Sequence, residues 1–263
     1  MGAADISLWR MTAGYLLLLI PLAIMLWYRV PLVGRTTMAI VRMTVQLLFV
    51  GFYLQVVFAY NRLWLNTLWV LVMIAVADVS IVRHCDLRLR RFAGPVFLAL
   101  ITGTAIPLLY FVLVILNRPS LMDARYVIPL GGMILGNCLR ADVIGLSGFY
   151  KTIRKDEKAF QFCLASGATL SEAIRPCVRE SFRAALAPTV TTMTTIGLVS
   201  LPGMMTGVIL GGTNPATAIK YQIGIMIAIF SGTSITLLGA ILLTARKSFS
   251  GYGVLDKAIF AQV

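Results

Sequence analysis

Charge is what this sequence has least of. Asp, Glu, Lys and Arg together make up 13% of it, about half of what a soluble domain uses to cover its surface. Water is therefore not its main solvent. Histidine is nearly absent as well: His84 stands alone among arginines, where a solvated role is the ordinary one, and acidic residues number ten. That excludes a histidine- or carboxylate-rich metal cage and a triad built on several histidines. No Gly-Lys dipeptide occurs anywhere, so a G-x-x-x-x-G-K-[ST] phosphate loop is excluded, and no G-x-S-x-G elbow is present. The chain is expected neither to hydrolyse ATP nor to act as an intramembrane enzyme. The four cysteines, Cys85, Cys138, Cys163 and Cys177, have no C-x-x-C spacing and are expected as free thiols. A cleavable leader is also missing: the apolar run that follows Arg10 ends in Met25-Leu26-Trp27-Tyr28 rather than a small-x-small site, which predicts a retained span.

What is abundant is apolar length. Hydrophobic residues reach 59% of 263 and the mean hydropathy is +0.89. At ~20 residues per crossing, six to eight spans fit and no separate soluble domain does. Apolar stretches run over Met11–Tyr28, Met38–Tyr60, Leu63–Val82, Phe92–Leu116, Tyr126–Tyr150, Thr189–Leu210 and Tyr221–Leu243. They are too long and too continuous for barrel strands, so the fold class is all-α, a polytopic membrane protein of about seven helices. The whole of 1–263 reads as a single transmembrane permease domain.

The net charge of +13 would suggest nucleic acid in a soluble protein; here it marks loops facing anionic lipid, and no nucleic-acid partner is expected. Arg29, Arg35, Arg83, Arg88, Arg90, Arg91, Lys151 to Arg183, Arg246, Lys247 and Lys257 fall on one side of a seven-span arrangement. Arg10, Arg62, Arg118, Arg125 and Lys220 fall on the other. Positive loops stay in the cytoplasm, which predicts the N-terminus outside and the C-terminus inside. A six-span chain keeps this sidedness if one stretch is re-entrant.

The long polar connection 151–188 is the expected coupling loop. Within it Thr169-Leu170-Ser171-Glu172 forms a capping box, Gly167 suits a sharp entry, and Pro176 is expected to end or kink a short helix. An ordinary surface helix would look the same. Its place between the fifth and sixth stretches favours a docking element for an ATPase, with Gly167, Ala168, Thr169, Leu170, Glu172, Ala173, Ile174 and Arg175 as coupling residues. Leu170, Ala173 and Ile174 are expected as the apolar contact face.

The second unusual run is Gly197 to Gly207. Pro202-Gly203 interrupts a helix in mid-membrane, which suits either a packing kink, aided by Gly207-x-x-x-Gly211, or a transport pathway. Asn137, Asp142, Pro202, Gly203, Met204 and Met205 are the pathway candidates. Met133, Met204 and Met205 could offer thioethers to a soft metal, although core filling is the commoner use of methionine. Arg42 and Asp78 read as residues that snorkel to the interface.

Gly131-Gly132-Met133-Ile134-Leu135-Gly136-Asn137, Ser166-Gly167-Ala168-Thr169, Arg183-Ala184-Ala185-Leu186-Ala187-Pro188 and Gly197 to Gly207 resemble the Fet-type iron-export permeases. These are bacterial ABC-transporter membrane subunits related to a plant aluminium-sensitivity permease. The likeness runs from about Arg42 to Arg246 and includes Tyr221-Gln222-Ile223; it departs at Cys138-Leu139-Arg140-Ala141-Asp142. The resemblance implies a permease in the bacterial cytoplasmic (inner) membrane, two copies paired with separate cytoplasmic ABC ATPase subunits that hold ATP and magnesium. This chain itself would bind no cofactor, and its other partner is membrane lipid. The cargo implied is iron or another metal, with a nucleotide sugar or another small metabolite as the alternative. A passive channel or secondary carrier is the rival from another class.

Overall fold

The computed structural model describes residues 7–117, 123–249 and 254–260, and they are helical almost throughout. Arg118 and the side chain of Lys257, both used in the charge argument above, lie outside the described residues. Helices α1 (Leu8–Tyr15) and α2 (Leu19–Trp27), joined by one 3₁₀ turn, form a first apolar rod. Then come α3 (Val33–Tyr60), α4 (Leu63–His84), α5 (Leu89–Tyr110, continued by a π turn to Ile115) and α6 (Ala124–Lys155). Short α7 (Glu157–Ala165) leads to α8 (Leu170–Thr195), α9 (Gly203–Leu210) and α10 (Pro215–Ser248).

Among the described residues six helical segments are long and apolar enough to span a bilayer: Trp9–Trp27, α3, α4, Leu89–Ile115, α6 and α10. The expected stretch Thr189–Leu210 is not one of them. It is shared by the end of α8, a non-helical segment Ile196–Pro202, and α9. The seventh crossing is therefore a broken one. Its two ends still lie at opposite ends of the bundle: α8 starts beside the end of α6, whereas Met204, Met205 and Val208 of α9 share a cavity with Arg125 and Tyr126 at the start of α6.

Which loops share an end follows from contacts. The Asn61 side chain accepts the Ala124 amide at 3.0 Å, joining the α3–α4 turn to the start of α6. At the other end Arg91 pairs with Asp256 at 2.6 Å, Arg88 donates its amide to the Ile259 carbonyl at 2.9 Å, and Arg154 lies 4.7 Å over the Phe260 ring. Arg91 also donates to the Lys247 carbonyl. The basic segments thus gather at one end, which the charge distribution predicted.

The core is built by α4, α5, α6, α8 and α10, with Phe92, Leu100, Ile134, Leu146, Phe149 and Leu237 fully buried. The pair α5 and α10 is the most extensive. Their backbones touch where Gly103 meets Gly232: a Cβ on Gly232 would stand 2.8 Å from the Gly103 carbonyl oxygen. Without a hydrophobic drive between helices in lipid, such close backbone approach is how they associate. The expected small-residue contact at Gly207 and Gly211 is not made. A Cβ at Gly207 would meet nothing, and one at Gly211 only its own helix.

The connection 151–188 is not a loop. Lys151–Lys155 closes α6, α7 follows, and only Asp156 and 166–169 lie outside helices. Its basic residues leave an apolar face, so Ile153, Phe160, Ile174 and Ala185 are buried. Pro176 does not end a short helix either. It lies inside α8, as does Pro188, and the packing of α8 against α6 holds the helix through the missing hydrogen bonds. A short helix does stand nearby, but it is α7, ahead of Gly167, where none was expected.

Candidate functional site

The bundle encloses a cleft of about 380 Å³ where α6, α8, the break and α10 meet. From α6 come Met133, Asn137 and Arg140, one turn apart on one face; from α8 come Pro188, Thr189 and Thr192; from the break come Ile196, Ser200 and Pro202; from α10 come Gln222, Met226 and Ile229. Asn137 is pinned: its amide nitrogen donates to the Met133 carbonyl at 2.8 Å, and its oxygen accepts from Arg140 at 3.0 Å. Thr192 turns its hydroxyl back to the Pro188 carbonyl at 2.9 Å. Gln222 is 6% exposed, and its Oε1 has no hydrogen-bond partner. A buried, unsatisfied carbonyl costs on the order of 1–3 kcal/mol, which a structural side chain would avoid.

The break has its own logic. Gly197 adopts φ +87, in the left-handed region, and its amide reaches the Ser200 carbonyl at 2.9 Å. Pro202 then stands as the N-cap of α9. The helix therefore stops before Gly197, earlier than the expected interruption at Pro202-Gly203. Leu198 and Val199 at its tip are 91% and 80% exposed.

Of the pathway candidates, Asn137 and Pro202 line the cleft together with Met133. Met204 and Met205 line a cavity near Tyr126 and Tyr221, and Met205 also lines one with Pro202, Gln222 and Met226; Met133 lines neither, so the three proposed thioethers do not share one cavity. Gly203 begins α9 and lines none of these. Asp142 lies elsewhere: it is fully buried in the helix core, and neither carboxylate oxygen has a hydrogen-bond partner. Asp78 is buried in α4 and does not snorkel, whereas Arg42 is exposed. Gln222 was not singled out for chemistry in the sequence; its signal was a lone amide in the otherwise apolar run Tyr221 to Ile229.

At the basic end, the capping box forms as read. The Thr169 amide donates to Glu172 Oε2 at 2.8 Å, the Thr169 hydroxyl donates to the same oxygen at 2.7 Å, and the Glu172 amide donates to Thr169 Oγ1 at 3.3 Å. The Thr169 hydroxyl, then its amide, hold the Glu172 carboxyl below its ordinary range. Gly167 takes φ +92, a left-handed conformation that closes the turn from α7. Ala168 follows it, half-buried. Leu170, Ala173 and Ile174 do not form an outward face; they pack against this chain's own core. Outward stand Gly167, Thr169, Glu172 and Arg175, with Phe162 of α7, 73% exposed. Phe160 is buried and Phe162 lies two positions on, hence on the opposite side of the helix, a spacing that could have revealed it.

Residues 8–249 match an uncharacterised protein family, UPF0014. This chain belongs to the UPF0014 family. A UPF0014 membrane protein of Synechocystis, slr1647, is 34% identical to it over 87% of this chain and 88% of its own length. A protein of Escherichia coli named "Probable iron export permease protein FetB" is 34% identical, over 80% of this chain and 79% of its own. Among plant relatives, the protein ALUMINUM SENSITIVE 3 of Arabidopsis thaliana is 33% identical, over 80% and 76%. No solved structure matches the chain significantly. The match spans cleft and capped turn alike, so both are parts of a UPF0014 membrane protein rather than additions to one.

Proposed function

We propose that this UPF0014 protein is the membrane-spanning permease subunit of an ATP-driven exporter of iron or another metal. Two copies work with a separate cytoplasmic ATPase subunit that binds ATP and magnesium, in the bacterial cytoplasmic membrane. The basic end faces the cytoplasm, following the positive-inside rule, so the N-terminus is outside. The name of the Escherichia coli relative supports the cargo class and the word permease.

One observation carries the mechanism: α8 is a single helix that holds the capped turn at Thr169 at one end and the cleft residues Pro188, Thr189 and Thr192 near the other. At 1.5 Å per residue, its 26 residues reach ~39 Å, more than the ~30 Å hydrocarbon core. A push on the turn outside the bilayer is thereby felt inside it. Helix α6, 32 residues long, runs beside α8 to the same end. The docking surface is the outward set Phe162, Gly167, Ala168, Thr169, Glu172 and Arg175; Leu170, Ala173 and Ile174 hold it onto the bundle. The chain makes and breaks no bond. It alternates the exposure of the cleft, and the partner supplies the energy.

The test is reconstitution in liposomes with and without the ATPase subunit. ATP-dependent metal efflux that requires both subunits is expected. Equal flux without the ATPase would replace this reading by a channel or secondary carrier.

A further inference from the structure

The cleft has the wrong charge for a bare metal cation. Among the side chains lining it Arg140 is the one that is ionised, and no carboxylate lines it at all. The nearest carboxylate in sequence, Asp142, is sealed in the helix core and forms no ion pair with Arg140. A divalent cation needs oxygen, nitrogen or sulfur ligands of negative or neutral character, and a fixed guanidinium in the same space repels it.

Arg140 is placed to receive something. Asn137, locked on the Met133 carbonyl, takes one N–H of the exposed guanidinium at 3.0 Å, and the other donors of the fork have no partner among the described residues. Gln222 of α10 lines the same cleft, more than nine-tenths buried and with Oε1 unpartnered. Thr189 lines the same cleft from α8. A guanidinium fork matches a carboxylate or phosphate. An unpartnered amide carbonyl asks for a hydroxyl or N–H donor. Together they describe a ligand that is an anion and also carries a donor group.

We propose that the Arg140–Gln222 cleft is a binding site for a hydroxylated organic anion, its carboxylate or phosphate on Arg140 and a hydroxyl on Gln222. The same chemistry has two sources: an anionic chelate of the exported metal, or the organic anion free of metal. Met133 and Met226 then fill space beside the ligand and bind no ion. The inference rests on the transport reading for its role in export, but the binding site itself does not need the ATPase.

Purified full-length chain in nanodiscs is titrated, without ATPase or ATP, with citrate, with ferric citrate and with Fe²⁺ alone. Citrate, with or without iron, is expected to bind; Fe²⁺ alone is expected not to bind at this site. Arg140→Gln should weaken the anion by roughly 10- to 100-fold, the range of a charge-assisted hydrogen-bonded contact, and Arg140→Lys by less, since it keeps the charge and loses the fork. Gln222→Leu, which keeps the apolar packing, should weaken citrate more than tricarballylate, which lacks the hydroxyl. Preference for ferric citrate assigns the chelate; equal or better binding of citrate assigns the free anion. Citrate affinity unchanged in Arg140→Gln, in protein that melts like the wild type, overturns the proposal, as does Fe²⁺ binding to the wild type that Gln222→Leu abolishes. Transport failing while anion binding persists would instead remove the ATP-driven reading and leave this site standing.

Discussion

The Gly103–Gly232 crossing gives the fold its sharpest test. In Gly232→Ala the new methyl would sit 2.8 Å from the Gly103 carbonyl oxygen, 2.8 Å from Ile134 Cγ2 and 3.6 Å from Cys138 Sγ. Carbon and oxygen in contact stand ~3.3–3.6 Å apart, so the overlap is roughly half an ångström. A flexible side-chain tip could move aside, but a helix carbonyl cannot. Helices α5 and α10 must separate by about that amount along their most extensive contact. Overpacking of this kind costs about 1–3 kcal/mol, and in lipid, where dispersion holds helices together, a small gap already forfeits a quarter to half of each contact. At about 2–4 °C per kcal/mol for a chain of this size, the melting temperature should fall by roughly 3–10 °C. A thiol-reactive dye reads this directly, because Cys85 and Cys138 are buried and Cys163 is exposed. Gly94→Ala is the control: it lies in α5 too, and its Cβ would meet nothing within 4 Å. It should melt no lower than wild type, since alanine favours helix by up to ~1 kcal/mol. Equal melting of the two variants would refute the crossing of α5 and α10 at these glycines.

Four further outcomes follow from particular contacts. Thr169→Val removes the hydroxyl that serves the capping box, so substrate-stimulated ATP hydrolysis by the reconstituted complex should fall about five-fold, the rate equivalent of one lost N-cap. Glu172→Gln keeps the reciprocal bond and should not lower it; no loss in Thr169→Val would remove the turn from coupling. Asp256 is held below its ordinary range, first by its hydrogen bond from Arg91 and then by the Ala258 amide, so the tail it pins is fully held above about pH 4 and released as pH falls through the depressed value. Asp256→Asn should raise hydrogen exchange in 254–260 about two- to five-fold at pH 7, as expected for an exposed ion pair, and should abolish that acid release. Met204→Leu with Met205→Leu conserves volume, so metal export should stay within about two-fold; its loss would restore the thioether reading. Pro188→Ala gives back the amide that a helix directs to the carbonyl four residues earlier, so it should stabilise the protein by up to ~3 kcal/mol while slowing export; unchanged export would mean that Pro188 has no part in it.

The sequence made the helices legible because each crossing is apolar for longer than any soluble core needs. It misread 151–188 because polarity was taken for irregularity. Ile153 in α6, Phe160 in α7 and Ile174 and Ala185 in α8 each bury one face of their own helix, and a helix outside the bilayer needs no continuous apolar run. Capping box and Gly167 were read correctly from local chemistry alone, since their hydrogen bonds connect residues three apart. The fate of Leu170, Ala173 and Ile174 could not be read that way: which side of α8 meets α6 is decided by residues some forty positions earlier in the chain. The same holds for the cleft. Asn137 stood out as a polar residue in an apolar stretch, but so did Asp142, and only the rotation of α6 turns one into the cleft and the other into the core. Gln222 gave the weakest signal, because its importance comes from a missing partner rather than from a motif.

The break at Ile196–Pro202 was open to two explanations, a packing kink or a built interruption, and other prolines in the chain help to decide between them. Pro95 and Pro107 lie inside α5, Pro129 inside α6, and Pro176 and Pro188 inside α8, each carried without loss of the helix. A proline alone therefore does not force this chain out of helix, and a kink would need no more than one. What stops α8 is the left-handed Gly197, well before Pro202, followed by residues whose Leu198 and Val199 side chains point away from the bundle. The other side of the same segment gives Ile196, Ser200 and Pro202 to the cleft that Asn137, Arg140 and Gln222 line. Backbone that leaves its helix at membrane depth is tolerated where it borders protein or a watery cavity. Here it borders a cluster of polar groups that includes an unpartnered carbonyl and a guanidinium of which Asn137 takes one donor, which is what a ligand site requires and a packing kink does not.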